Sequence, residues 1–172
     1  MLTVTTAATV EPVTLAEAKA HLYVTHDSDD ALIGALISAA RERVELNTGR
    51  ALAAASYLWA AGCDWRVLPL FPVDSVTSAT YDSGDGTRID LPAYTLDTAR
   101  NTITLENDAV LSGGAVNIEF DTAPAIVPAA LKAAILLIVG DLYANREEHG
   151  DALAANPAVD RLIYPYRVNL GV

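Results

Sequence analysis

A single cysteine, Cys63, among 172 residues excludes an intramolecular disulfide framework, and no set of cysteines and histidines has the spacing of a zinc site. Cys63 reads as a small core or interface residue. Aromatic side chains make up only 6% of the chain, so alanine and the aliphatic residues must carry the packing. Basic residues are scarce too, 11 against 22 acidic ones, for a formal net charge of -11. A surface that grips nucleic-acid phosphates broadly needs clustered lysine and arginine, so that class of function is disfavoured. Two readings of the negative charge stay open: simple solubility, and a channel wall that repels a DNA backbone and lets the strand slide. The longest apolar run, Ala133 to Val139, is too short to span a bilayer, and no membrane partner is expected. No basic stretch ahead of an apolar one marks a secretory signal.

Chemistry is equally sparse. The histidines are His21, His26 and His149. His26 with Asp27, Asp29 and Asp30 lacks the glycine and the distal glutamate of an EF-hand loop, and reads as a solvated, helix-capping loop. Asp82 and Asp85 start like a calcium loop, but the twelfth position counted from Asp82 is Ala93, and a hairpin turn accounts for the same residues. Glu147, Glu148, His149 and Asp151 read as a frayed, charged helix end. No Gly-x-Ser-x-Gly elbow, Walker loop or dinucleotide Gly-x-Gly-x-x-Gly occurs. No catalytic, cofactor-binding or metal residue is assigned, no cofactor is expected, and the chain is not expected to be an enzyme.

What the chain does contain is a run of well-marked helices around a β-rich middle. Thr14 followed three residues later by Glu17 fits a capping box and predicts a short helix to about Leu22, with Leu15, Ala18 and Leu22 on one face. A second helix begins after Asp29 or Asp30 and stops at Gly49. Its apolar stripe is Leu32, Ile33, Leu36, Ile37, Ala40 and Val44, with Arg41, Glu42 and Glu45 pointing elsewhere. From about 53 to 122 the period changes. Val116, Ile118 and Phe120 alternate with Asn117, Glu119 and Asp121, as in a half-buried strand. Val73 to Tyr81 and Thr87 to Leu91 flank Gly84, Asp85 and Gly86, a hairpin signal. Pro69, Pro72 and Pro92 mark loops or edges.

A third helix opens at Pro128, with Leu131, Ile135, Ile138 and Leu142 as its main stripe. Leu136, Leu137 and Val139 add apolar surface on other faces. Either the helix is central to its own subunit or a neighbouring subunit covers part of it. Beyond His149 the sequence is small and interrupted by Pro157, then turns aromatic and cationic through Arg161, Tyr164, Tyr166 and Arg167. Two readings remain for this tail, docking into a partner and packing on its own domain. Removing everything after Gly150 is expected to leave a folded frame. The fold class is α+β: about three helices forming a small bundle, an inserted antiparallel sheet and hairpin, and an extended C-terminal segment. About 170 residues suffice for one domain, with the helical frame at 12–50 and 127–149, the insert at about 53–122 and the docking segment at 150–172. Arg41 and Arg43, interleaved with Glu42 and Glu45, read as intrahelical or intersubunit ion-pair partners.

The order of these segments resembles a known family. Val13-Thr-Leu-Ala-Glu-Ala-Lys-Ala-His-Leu22, an acidic loop, an alanine-rich helix ending in Thr48-Gly-Arg50, and a later Val127-Pro-Ala-Ala-Leu helix running to Tyr143-Ala-Asn-Arg-Glu-Glu148 are similar to the head-tail connector (adaptor, head-completion) proteins of long-tailed phages, a family also found in gene transfer agents. The resemblance implies a structural subunit that forms a ring of twelve copies beneath the portal, joins the head after DNA packaging and offers a platform to the tail. It implies assembly in the bacterial cytoplasm and a place at the head-tail junction of the particle. Its partners would be the portal protein, further copies of itself and a tail-side connector or tail terminator protein, with DNA passing through the channel without specific binding. By the same resemblance Arg161, Tyr164, Tyr166 and Arg167 would meet the portal. Arg41, Arg43 and the hairpin tip Gly84, Asp85 and Gly86 would face the tail or a neighbouring subunit. A tail-completion ring protein and a small acidic ligand-binding domain are the alternatives.

Overall fold

Helix signals and strand signals separate cleanly in the computed structural model, which describes residues 1–61, 65–83, 87–106, 114–123, 126–145 and 156–168. The chain divides into two compact units, one made of Val10–Leu52 and Ala125–Val168, the other of Met1–Thr9 and Ala53–Pro124.

The first unit is helical. α1 (Leu15–Leu22) starts from the reciprocal cap that its sequence requires: the Glu17 N–H donates to Thr14 Oγ1 at 3.2 Å, and the Thr14 N–H donates to Glu17 Oε2 at 2.7 Å. Those bonds satisfy donors that the first helical turn leaves without partners. α2 (Asp30–Thr48) ends where Gly49 turns left-handed at φ 67°, a conformation cheap for glycine, and donates to the Glu45 carbonyl at 2.8 Å. α3 (Ala129–Ala144) follows Pro128. α4 (Pro157–Ile163) is a fourth helix, and a 3-10 turn at Tyr164–Tyr166 extends it. Pro157 opens α4 instead of interrupting a segment, because its ring suits the first helical position and the Asn156 side chain accepts from the Ala158 N–H at 3.1 Å.

Ile33, Ile37, Ala40 and Val44 of α2 meet Leu131, Ile135 and Ile138 of α3 in a core that also takes Val13, Ala18, Val159 and Ile163. Val139 is fully buried, and Leu136, Leu137 and Leu142 pack partly buried against the same cluster, so α3 is the central helix of this unit. Leu32, placed on the stripe by its spacing, is exposed at the edge of it.

The second unit is a five-stranded antiparallel sheet and a separate ribbon. The strands are β1 (Leu2–Thr6), β2 (Ala55–Ala61), β3 (Val73–Asp82), β4 (Arg88–Asp90), β5 (Tyr94–Asp97), β6 (Thr102–Leu105) and β7 (Val116–Thr122). The sheet order is β1-β2-β7-β3-β4, and β5 pairs with β6. β7 sits in the middle and obeys its alternation: Val116, Ile118 and Phe120 are buried, and Glu119 is exposed. Tyr57 of β2 stacks on Phe120 with ring centroids 5.6 Å apart. β3 and β4 form the hairpin read from the sequence, with Asp82 opposite Arg88 and Thr80 opposite Asp90; its tip, Gly84 to Gly86, lies outside the described residues, as do Cys63 and the acidic stretch 147–151. β1 was not foreseen, although its residues Leu-Thr-Val-Thr-Thr carry the β-branched composition of a strand.

Two buried polar side chains hold the irregular parts of this unit. Thr122 Oγ1 lies 3.1 Å from the Ala53 carbonyl and 3.2 Å from that of Ala55. Asn101, left-handed at φ 60°, donates through Nδ2 to the Leu68 and Leu70 carbonyls at 2.7 Å each, which ties the proline-containing segment before β3 to the β5–β6 turn.

Candidate interaction surfaces

Among the described residues no group of histidine, cysteine, aspartate and glutamate has the arrangement to hold a metal ion, and the charged side chains do other work. The acidic loop between α1 and α2 is ordered by one lysine. Lys19 Nζ donates to Asp27 Oδ1 at 2.6 Å and to Asp30 Oδ1 at 2.7 Å. Hydrogen bonds from Lys19 pull the Asp27 carboxyl below its ordinary range, and the same two bonds push the Lys19 ammonium up. His26 and Ser28 share a hydrogen bond of 2.8 Å, and the Tyr143 hydroxyl of α3 donates to Asp29 at 2.5 Å. The loop is a scaffolded acidic surface, with the Asp27 side chain 88% exposed. Next to it Tyr23, a residue 93% exposed, closes α1 in a left-handed conformation at φ 57°. A non-glycine residue in that region carries backbone strain.

Midway along α2 the charges turn inward. Arg41 is off the apolar stripe but only 5% exposed: Nε donates to Glu11 at 2.8 Å and Nη1 to Glu45 at 2.6 Å. Glu45, 3% exposed, also accepts the Leu52 N–H at 2.7 Å, and Glu11 accepts from the Ser38 hydroxyl at 2.8 Å. The expectation that Arg41 and Glu45 point away from the interior is therefore corrected. Glu11, ahead of α1, and the chain turning out of α2 at Leu52 close over them, so an i,i+4 pair becomes a buried ion cluster. Of the two roles left open for Arg41, the geometry supplies the intrahelical one. Arg43, two residues on, is exposed, as are Leu46 and Asn47 on the same helical face.

The C-terminal segment divides its residues between inside and outside. Val159 and Ile163 are core, Tyr166 packs partly buried against that core, and its carbonyl accepts from Arg50 Nε at 2.8 Å. The Val168 N–H donates to the Thr48 carbonyl at 2.7 Å. Arg161, Tyr164 and Arg167 are exposed, with the Arg167 guanidinium 5.9 Å from the Tyr164 ring centre. Packing on its own domain thus holds for Val159, Ile163 and Tyr166, while Arg161, Tyr164 and Arg167 stay at the surface. Removing everything after Gly150 would take Val159 and Ile163 out of the core, so the folded truncated frame expected from the sequence does not follow.

The profile of the phage gp6-like head-tail connector protein family matches residues 12–83, a span that runs from the capping segment of α1 through α2 to the end of β3. That segment is similar to the head-tail connectors. No curated protein matches it. Among solved structures, a chain in the neck of an empty gene transfer agent particle, computed with C6 symmetry, aligns with a TM-score of 0.71 and 26% identity over 98% of this chain and 95% of that one. A chain in the neck of a native particle, computed with C12 symmetry, aligns at 0.69 with 27% identity over the same shares. A chain in the virion of a native particle gives 0.71 with 24% identity. The similarity to chains of particle necks therefore spans nearly the whole chain, beyond the residues that the profile matches.

Proposed function

We propose that this chain is a ring-forming subunit of the neck of a tailed phage or gene transfer agent particle, that it docks on the portal through its C-terminal segment, and that it presents a platform to the tail. The observation that carries this reading is the near-complete alignment with chains of particle necks, at more than 25% identity in two of them. A ring of twelve copies would fit the C12 symmetry with which one such neck was computed. The portal side is assigned to Arg161, Tyr164 and Arg167, because they are exposed on a short helix and turn anchored by Val159, Ile163 and Tyr166. Aromatic and arginine side chains held rigidly at a surface are favoured anchors in protein interfaces. The sheet unit, with its β3–β4 hairpin, is assigned to the tail or to the adjacent subunit. A chain of net charge -11 lining the passage would let DNA through without holding it.

The test is capture of the full-length chain by the portal ring of the same genome. Tyr164→Ala and Arg167→Ala, substitutions of exposed side chains, are expected to lower capture at least tenfold with an unchanged melting temperature. Normal capture by the double variant would remove the assignment of this segment.

A further inference from the structure

Thr48, Gly49 and Arg50 do more than stop α2. Gly49 turns the chain left-handed, and the half-buried Arg50 then reaches 116 positions along the sequence to donate from Nε to the Tyr166 carbonyl at 2.8 Å. The Thr48 carbonyl, one of the last four that a helix leaves without an intrahelical partner, accepts from the Val168 N–H at 2.7 Å. Thr48 is itself buried: its Oγ1 donates to the Val44 carbonyl at 2.7 Å and accepts from the Arg50 N–H at 3.2 Å. The triplet is therefore shaped from within α2, and it bonds the backbone of the C-terminal segment on both sides of Arg167.

A cation at a helix C-terminus also suits the helix dipole. That explains a charge beside Gly49 but not its direction, since Arg50 Nε meets a carbonyl of the C-terminal segment and the Thr48 carbonyl meets an N–H of the same segment. The segment thus has two kinds of anchor. α4 is held by the burial of Val159 and Ile163, whereas the chain from Tyr166 to Val168 is held by the partly buried Tyr166 ring and the bonds to the triplet. Tyr164 and Arg167, exposed with the guanidinium 5.9 Å from the ring centre, sit on that second part.

We propose that Thr48-Gly49-Arg50 is a clamp that sets the portal-docking surface, with Arg50 as its positioning residue. Arg50 acts through Tyr166, fixing the backbone that carries Tyr164 and Arg167 in the arrangement that docks. The inference rests on the portal reading of the C-terminal segment and says what holds that surface ready. A surface ordered before contact leaves less ordering cost to the association. Without the Arg50 bond the chain beyond Ile163 samples other conformations, and apparent affinity falls with the population of the competent one.

The test compares full-length variants for capture by the portal ring of the same genome and for hydrogen exchange of the Val168 amide. Arg50→Met keeps an apolar stem and removes the donor. It should lower capture by about tenfold, as when the competent conformation falls to about a tenth of the population, with the melting temperature unchanged. The Val168 amide should exchange at least tenfold faster in it, while the amides of α3 exchange as in the wild type. Arg50→Lys should recover most of the capture, because a single carbonyl acceptor can be met by an ammonium. Normal capture by Arg50→Met, while Tyr164→Ala with Arg167→Ala loses capture, would overturn the clamp and leave the docking reading in place. Lost capture with unchanged Val168 exchange would also overturn it and make Arg50 a contact in its own right. If Arg50→Met lowers the melting temperature, the wild type decides: a Val168 amide that exchanges as fast as in an unfolded chain would overturn the clamp, and a protected one supports it. Normal capture by Tyr164→Ala with Arg167→Ala would overturn the docking reading itself and this inference with it.

Discussion

The helical unit and the sheet unit are held by different physics. In the helical unit the apolar core is supplemented by specific polar bonds: the Thr14–Glu17 cap, the Lys19 bridge to Asp27 and Asp30, and the Glu11–Arg41–Glu45 cluster. In the sheet unit the central strand β7 follows a plain alternation, and its buried polar groups, Thr122 and Asn101, bond to backbone carbonyls of irregular segments. One unit fixes its geometry by charge and capping, the other by register and apolar packing. Losing a single side chain should therefore have a different signature in each. The two tryptophans, Trp59 in β2 and Trp65, both belong to the sheet unit, so their fluorescence follows that unit, while helical circular dichroism follows the other.

The largest effect is expected at Arg41. Arg41→Ala leaves Glu11 and the buried Glu45 without their cation, and losing one partner of a buried pair costs roughly 3–5 kcal/mol. Urea denaturation followed by helical circular dichroism should show it, and a cost below about 1 kcal/mol, the range of an exposed ion pair, would contradict the buried cluster. Ile118→Ala, in the middle of β7, should cost about 2–5 kcal/mol through lost burial and the cavity left behind. Its transition is read from tryptophan fluorescence. Thr14→Ala removes a side-chain cap and should cost about 1 kcal/mol, whereas Thr14→Ser should be nearly neutral.

The smallest effect is the pH dependence of the acidic loop. Asp27 has its carboxyl lowered from 3.8 by Lys19, so its contribution is complete above that value and is lost as pH falls through the depressed one. Lys19 is raised from 10.5, so its contribution is complete below that value and is lost as pH rises through the elevated one. Between the two the contribution of the Lys19–Asp27 pair should not change with pH. The Asp27 side chain is 88% exposed, so Lys19→Met should flatten the acid limb only slightly, read as a small shift in the melting temperature at low pH.

The sequence was most informative where local chemistry alone decides the structure. The capping box at Thr14, the glycine stop at Gly49 and the alternation of Val116, Ile118 and Phe120 each need only a few neighbouring residues to be recognised. Arg41 was not legible, because the groups that bury it, Glu11 and the Leu52 amide, come from outside its helix. α4 and β1 were missed as well. Pro157 carries both a helix-start and a chain-break meaning, and only the Asn156 cap decides between them. β1 has five residues and acquires its role by pairing with β2 more than fifty positions away. Among the surfaces, the division of the C-terminal segment into core and exposed faces required the fold, since Tyr164 and Tyr166 look alike in sequence yet face different surroundings.

The central claim is that this chain is a ring-forming connector. Its most direct test is the native mass of the purified full-length protein, alone and mixed with the portal ring of the same genome. The account predicts a closed multimer, twelve copies for a neck of C12 symmetry, either in free solution or on addition of portal. A monomer that stays a monomer in the presence of portal would contradict it.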